Sequence, residues 1–94
     1  MTTVYRLYTE RRPNLAALCA RHFQGFTLFD AAGYYDGIPE PATVVEVIGD
    51  DTDASRVFAL ASHIRATNGQ TSVLVTRQPL LATAVTADNA VEVA

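Results

Sequence analysis

Length, composition and charge exclude several kinds of protein. The chain has 94 residues, 49% of them hydrophobic and 18% charged, with a formal net charge of −3. This length fits one domain. A domain so small cannot bury all of these apolar side chains in its own core, so we expect subunits to associate. Seven basic residues stand against ten acidic ones. This balance argues against a nucleic-acid polymer as the partner.

Cysteine usage and hydropathy bear on location. Cys19 is the single cysteine, so an internal disulfide is impossible and a reducing compartment is expected. The first residues show no signal-peptide pattern, and no apolar run approaches the roughly 20 residues that cross a bilayer. We therefore predict a cytoplasmic protein without a membrane partner.

The first part of the chain predicts a strand, a helix and a second strand. Alternating β-forming residues indicate a strand over residues 4–9. A helix is predicted from Pro13 to about Phe23, because apolar residues then recur at the spacing of one buried face. Gly25 ends this helix, and residues 26–35 indicate the second strand.

The second part repeats the order strand, helix and strand after a loop. Residues 36–41, with two prolines, predict an ordered protruding loop, followed by a third strand over residues 43–48. A helix is predicted over residues 53–67 and a fourth strand over residues 71–77. The helix has an apolar stripe made of Val57, Leu60, Ala61 and Ile64.

The order of the elements predicts an α+β fold of the ferredoxin-like βαββαβ class. It comprises a four-stranded antiparallel sheet with two helices on one face, formed by residues 1–79. Residues 80–94 form a C-terminal extension, either a small hairpin or a strand that bridges to a neighbouring subunit. The face of the sheet without helices is left open, and we expect further subunits to cover it.

Two charged residues are predicted to meet on this open face. Strand alternation places Arg6 and Glu46 there, on strands that are adjacent in the βαββαβ plan. They either pair with each other and fix the register of a subunit contact, or polarise a bound ligand.

The hairpin between the middle strands carries the strongest candidate site. Tyr34, Tyr35 and Glu40 combine two aromatic rings with a carboxylate, and the rings could stack on a base. Arg65 or Arg77 of a neighbouring chain could meet its phosphate. The alternative is that the tyrosines cover a sheet edge or a subunit contact.

Neither a catalytic nor a metal-binding motif is evident, and no cofactor is predicted. His22 and His63 have no second ligand at metal-binding spacing, and Cys19 fits a small core residue. The acidic residues 50–53 fit helix capping better than a calcium loop.

Several short strings resemble the PII signal-transduction proteins, and the outline is similar to the CutA family. The strings are residues 25–34, residues 43–51 and the turn at residues 68–69, within a resemblance that covers about residues 4–77. It implies a trimer whose open sheet faces meet, with small ligands, adenine nucleotides in PII relatives, held between subunits near the base of the middle loop.

In this chain the base of that loop is Gly33 to Tyr35 and Glu40 to Thr43. The long PII loop is cut to a few residues, its basic phosphate-gripping segment has no counterpart in residues 68–72, and the chain has no lysine. The resemblance therefore implies a cleft for another small anionic or nucleotide-derived molecule.

Three functions are compatible with these patterns. The first is a non-enzymatic homo-oligomer that senses or sequesters a nucleotide-type ligand, as viral proteins that take up immune signals do. The second is a dimeric α+β-barrel enzyme, in which His22, His63 or Arg6 would line a pocket. The third is a purely structural oligomer.

Overall fold

The computed structural model describes residues 1–91, and its strands form one antiparallel sheet in the order β2-β3-β1-β4. The elements are β1 (Thr2–Glu10), α1 (Leu15–Ala20), β2 (Thr27–Tyr35), β3 (Ile38–Asp50), a 3₁₀ turn (Asp51–Asp53), α2 (Ala54–Thr67) and β4 (Leu74–Pro79). Both helices contribute to the core on one face of the sheet. The predicted ferredoxin-like α+β fold is confirmed.

The core lies between this sheet and the two helices. Its residues on the sheet are Tyr5, Leu7, Val45 and Val47, those on α1 are Leu15, Leu18 and Cys19, and those on α2 are Val57, Leu60, Ala61 and Ile64. The apolar stripe predicted on α2 is thus buried in full. Each fully buried aliphatic side chain contributes about 1.5–3 kcal/mol, so this single layer of contacts provides most of the hydrophobic stabilisation.

The acidic run before α2 caps the helix, as expected. The Thr52 amide donates to Asp50 Oδ1 at 2.8 Å, and the Asp50 amide donates to Asp53 Oδ2 at 3.0 Å. Hydrogen bonds from Thr52 lower the pKa of the Asp50 carboxyl. Gly49 leaves room for this arrangement, because a Cβ there would lie 2.2 Å from Asp53 Oδ2.

The first helix is shorter than the predicted range from Pro13 to Phe23. Asn14 does not cap it, because the side chain of Asn14 is engaged with Asn68. The two amides donate to each other's oxygens at 2.7 and 3.2 Å, and so tie the start of α1 to the end of α2. At the other end, the amides of His22 and Phe23 both donate to the Cys19 carbonyl and close the last turn.

The protruding loop predicted over residues 36–41 is wrong, because β3 already begins at Ile38. Asp36 and Gly37 alone form the turn, with φ values of 50° and 74° typical of a type I′ hairpin. A two-residue turn makes its flanking residues a hydrogen-bonded pair, so Pro39 and Pro41 fall at positions that need no N–H toward β2.

The fourth strand is displaced from the predicted residues 71–77. Between α2 and β4, the Gln70 side chain is buried and contacts the end of β1. Its amide donates to Thr9 Oγ1 at 2.7 Å, and its oxygen accepts the Glu10 N–H at 3.2 Å. Pairing with β1 therefore starts only at Leu74.

The extension beyond β4 leaves the sheet almost at once. The Leu80 N–H donates to the Thr2 carbonyl at 2.9 Å, after which residues 81–91 form neither helix nor strand. Within the predicted extension, residues 92–94 lie outside the described part of the chain. A strand that forms against a second subunit stays a prediction. Within residues 1–91, every helix is too short or too polar to cross a membrane.

Candidate ligand-binding groove

A groove of about 710 Å³ lies at the edge of the sheet where β1 ends and β4 begins. The β2–β3 hairpin continues beyond this edge. The walls of the groove come from the end of β1, the hairpin, and the segment between α2 and β4. The sequence-based prediction placed a ligand at the base of this hairpin. We call the feature the hairpin groove.

The floor of the hairpin groove is made of small residues. Ala31 pairs with Ala42, and Gly33 pairs with Glu40, which puts all of them on the open face of the sheet. A Cβ at Gly33 would lie 3.5 Å from Ala42 Cβ and 3.5 Å from the Glu40 carbonyl, an ordinary contact. Gly33 also lies outside the left-handed region. Neither the available space nor the backbone geometry requires a glycine at this position. The absence of a side chain at Gly33 keeps the floor of the groove low.

Aromatic and apolar side chains surround this floor. Tyr8 and Leu74 stand on the side of β1 and β4, while Tyr34 and Tyr35 stand on the hairpin. The two hairpin tyrosines are 71% and 72% exposed, so within one chain they cover little of the sheet edge. Their rings are accessible either to a ligand or to another subunit.

The polar lining of the groove is acidic. Glu10 and Glu40 contribute carboxylates, and neither Arg nor Lys lines the groove among residues 1–91. The carboxylate of Glu10 pairs with Arg12, whereas that of Glu40 has no cation within 4.0 Å in the described chain. The groove therefore carries net negative charge.

Arg11, which follows the groove residue Glu10, is engaged elsewhere. The guanidinium of Arg11 donates to the Ala31 and Ala42 carbonyls at 3.1 and 3.4 Å, and its Nε lies 3.5 Å from Asp30. Asp30 pairs with the buried Thr43, so this contact lies on the helix side of the hairpin. Arg11 clamps the base of the hairpin from the side opposite the groove.

Three of the predicted site residues meet in the groove: Tyr34, Tyr35 and Glu40. Thr43 is buried and faces the helices. Arg65 lies between α2 and β4, and Arg77 lies beside Thr3 and Asp51, so within one chain neither of them reaches the groove. Their predicted contact with a neighbouring chain's ligand stays a prediction.

Arg6 and Glu46 are directly opposite each other on β1 and β3. Arg6 Nε donates to Glu46 Oε2 at 3.1 Å, with 40% and 17% of the two side chains exposed. The pairing inferred from strand alternation is present.

Sequence reasoning missed part of the groove wall. Thr9, Gln70 and Tyr8 line it, and the buried Thr9–Gln70 hydrogen bond fixes the end of β1 against the α2–β4 segment. Strand alternation does place Tyr8 on the open face together with Arg6, but the Thr9–Gln70 bond joins residues 61 positions apart and leaves no local signal.

A histidine pair lies away from the groove. His22 Nε2 and His63 Nδ1 are 3.1 Å apart, a proximity that sequence spacing did not indicate. Burial, then the neighbouring His63, Arg21 and Arg56, lower the pKa of His22. Among residues 1–91, no group of three or more His, Cys, Asp or Glu could hold a metal ion.

Cys19 lies on the buried face of α1 and packs in the core. Burial raises the pKa of its thiol to about 11. The side chain is therefore a protonated, unreactive core group.

Comparison with known proteins identifies the fold. No protein-family model and no curated protein sequence matches the chain. The crystal structure of a DUF3240 family protein from Shewanella baltica matches with a TM-score of 0.67 and 10% identity, over 92% of this chain and 97% of that one. The periplasmic divalent cation tolerance protein CutA from Archaeoglobus fulgidus matches with a TM-score of 0.59 and 10% identity, over 89% and 88%.

At this identity the likeness concerns the fold alone. The ferredoxin-like fold and the similarity in outline to CutA suggested by the sequence are confirmed.

Proposed function

We propose that the protein is a non-enzymatic homo-oligomer, with a trimer favoured, that holds a small nucleotide-type molecule in clefts between subunits. Binding would serve to sense or to sequester this molecule. The observation that carries the proposal is the hairpin groove, whose floor of small residues lies on an apolar sheet face without a covering layer.

The open face supports association of subunits. Its exposed large apolar side chains are Tyr8, Phe29, Ile48 and Leu74. They lie on all four strands of the sheet and share one face according to the register. Tyr8, Phe29 and Leu74 lie in one row across the sheet, and Ile48 lies beyond the Arg6–Glu46 pair. An exposed apolar row of this kind is typical of an interaction surface, and a second copy of the chain would cover it.

The position of the groove supports binding between subunits. Tyr8 and Leu74 belong both to the apolar face and to the groove wall. A subunit seated on the open face would therefore close the groove from the side. Arg65 and Arg77 of that subunit are the proposed phosphate contacts.

A cytoplasmic location and a use in sequestration complete the proposal. The single cysteine is buried and compatible with a reducing compartment. A viral protein that takes up nucleotide immune signals is one such use, because uptake needs a cleft and no catalytic group.

The enzyme alternative has less support. His22 and His63 lie between the end of α1 and α2, on the helix side of the sheet, and Arg6 is paired with Glu46. The three groups proposed to line a pocket above the open face are thus dispersed. A purely structural oligomer would use the same apolar face without the groove.

Native mass spectrometry of the full chain tests the proposal, alone and with a panel of nucleotides and cyclic dinucleotides. We expect a trimer that gains about one ligand per cleft. In a Gly33→Val variant the floor is filled by a side chain suited to a strand, and we expect the oligomer to persist without the ligand. Gly25→Val is the matched control, because a Cβ at Gly25 meets nothing within 4 Å.

A bare oligomer that ignores the whole panel would contradict ligand binding and favour the structural alternative. Equal ligand uptake by the Gly33→Val variant and the wild-type chain would show that the ligand binds elsewhere.

A further inference from the structure

The charge of the hairpin groove indicates which part of a nucleotide it can hold, and this inference rests on the proposed function. We infer that the groove holds a base whose edge presents two adjacent N–H donors, as guanine does, with the carboxylate of Glu40 as their acceptor. The phosphate of the ligand then lies outside the groove.

The first argument is electrostatic. Glu10 and Glu40 both line the groove, and no cationic side chain within residues 1–91 does so. Arg12 compensates Glu10, but a phosphate placed there would face the carboxylate of Glu40, which has no cation within 4.0 Å among residues 1–91. The neighbouring Arg11 is held on the opposite side of the hairpin by two carbonyl oxygens. A neutral, donor-bearing group avoids this repulsion.

The second argument is shape. Ala31, Gly33 and Ala42 form a floor without protruding side chains, and the exposed ring of Tyr35 lies on the same face of the hairpin. A flat heterocycle can lie on such a floor and contact an aromatic ring, whereas a tetrahedral phosphate gains nothing from it.

The third argument is hydrogen-bond matching. Glu40 is directly opposite Gly33, so its side chain has no cross-strand neighbour beyond a hydrogen atom. An ionised carboxylate has two oxygens that only accept hydrogen bonds. Guanine offers two N–H groups side by side, and such paired contacts to a charged acceptor are strong. Uracil offers one N–H between two carbonyl oxygens, which the carboxylate repels.

The test is a titration of the ¹⁵N-labelled full chain with GMP, UMP and ribose 5-phosphate. Binding is monitored by the chemical shifts of the backbone amides. Cyclic di-GMP and cyclic di-UMP are titrated in parallel, so that weak binding of a mononucleotide does not obscure the comparison. We expect the guanine ligands to shift the amides of residues 31–35 and Glu40 and to bind about tenfold more tightly than the uracil ligands. Ribose 5-phosphate should leave these amides unchanged.

Two variants separate the role of Glu40 from a general effect of charge. Glu40→Gln replaces one acceptor by a donor, so the preference for guanine over uracil should fall from about tenfold to about onefold. Asp36→Asn removes a carboxylate from the same hairpin, outside the groove lining, at a φ of 50° that asparagine tolerates. This control should keep the preference.

The possible outcomes distinguish the inference from the proposed function. Nucleotides that bind without preference for guanine, an unchanged preference in Glu40→Gln, or ribose 5-phosphate binding in the groove would each overturn the inference alone. If none of the probes or the wider nucleotide panel binds, the proposed function fails and the inference fails with it.

Discussion

Several basic side chains surround His22. His63 lies 3.1 Å away, and Arg21 and Arg56 add positive charge. Together with burial, which has the largest effect, these neighbours lower the pKa of His22 below its ordinary value of 6.5. In the pair, one ring must donate and the other accept, so protonation of both rings removes the hydrogen bond.

The sign of the resulting pH dependence follows from the direction of this shift. Above about pH 7 the histidine is neutral in both the folded and unfolded chains. Below its ordinary pKa the unfolded chain takes up a proton that the folded chain still refuses. The free energy of unfolding therefore falls as the pH falls through 6.5 and levels off below the folded pKa.

We predict that a His22→Gln variant loses less stability than the wild-type chain between pH 7.5 and pH 5.0. Glutamine can keep a hydrogen bond to His63 but does not titrate. Urea unfolding at the two pH values measures the effect, and the Asp50 carboxyl does not interfere because its pKa is lowered from 3.8. Equal losses in the two proteins would mean that folding does not lower the pKa of His22.

The β2–β3 hairpin is the element whose geometry depends most on single residues. Its turn requires positive φ at both central positions, 50° at Asp36 and 74° at Gly37. A side chain at Gly37 would meet no neighbouring atom, so the cost of a substitution there comes from backbone conformation alone. Adoption of the left-handed region by a residue with a Cβ costs about 1–2 kcal/mol.

We predict that Gly37→Ala loosens the end of the hairpin. The opening free energy should fall by about 1 kcal/mol, so exchange of the Ile38 amide hydrogen should be roughly fivefold faster. Gly25→Ala is the control, because Gly25 has open space and an ordinary φ. A hairpin protected equally in both variants would argue against a type I′ turn.

Local patterns were sufficient to predict the elements that bury an apolar face. The stripe on α2 and the alternation on β1 and β3 are properties of neighbouring residues, and the βαββαβ order then fixes which strands are adjacent. The Arg6–Glu46 pair could be predicted for the same reason, because alternation and strand order together determine it.

The predictions that were wrong concern features set by contacts between distant segments, or by which residues of a strand donate their N–H groups to its neighbour. Asn68 engages Asn14 at the start of α1, and Gln70 bonds to Thr9 ahead of β4. Neither contact leaves a signal among neighbouring residues of the sequence. The prolines of the hairpin suggested a loop, but the two-residue turn puts them at positions that tolerate proline. Tyr34, Tyr35 and Glu40 were predicted at the hairpin base and do line the groove, although the rest of its lining needed the fold.

The complete sheet leaves one apolar face without a second layer, and this asymmetry is the physical reason to expect an oligomer. Helices cover one face, while Phe29 and Ile48 on the other face are 47% and 54% exposed. The helix side offers a matched site, since Phe58 on α2 is 57% exposed. Substitution at Phe29 and at Phe58 therefore compares two faces with similar side chains and similar exposure.

We predict that Phe29→Arg dissociates the oligomer and that Phe58→Arg does not. A guanidinium placed in a subunit contact loses its hydration without a partner, whereas the same group on a solvated helix face keeps it. Both sites are accessible in the single chain, so each variant should fold, which circular dichroism would verify. Light scattering after size-exclusion chromatography then gives the mass of each protein. Dissociation by Phe58→Arg alone would move the interface to the outer face of α2, and two intact oligomers would show that neither face is the subunit contact.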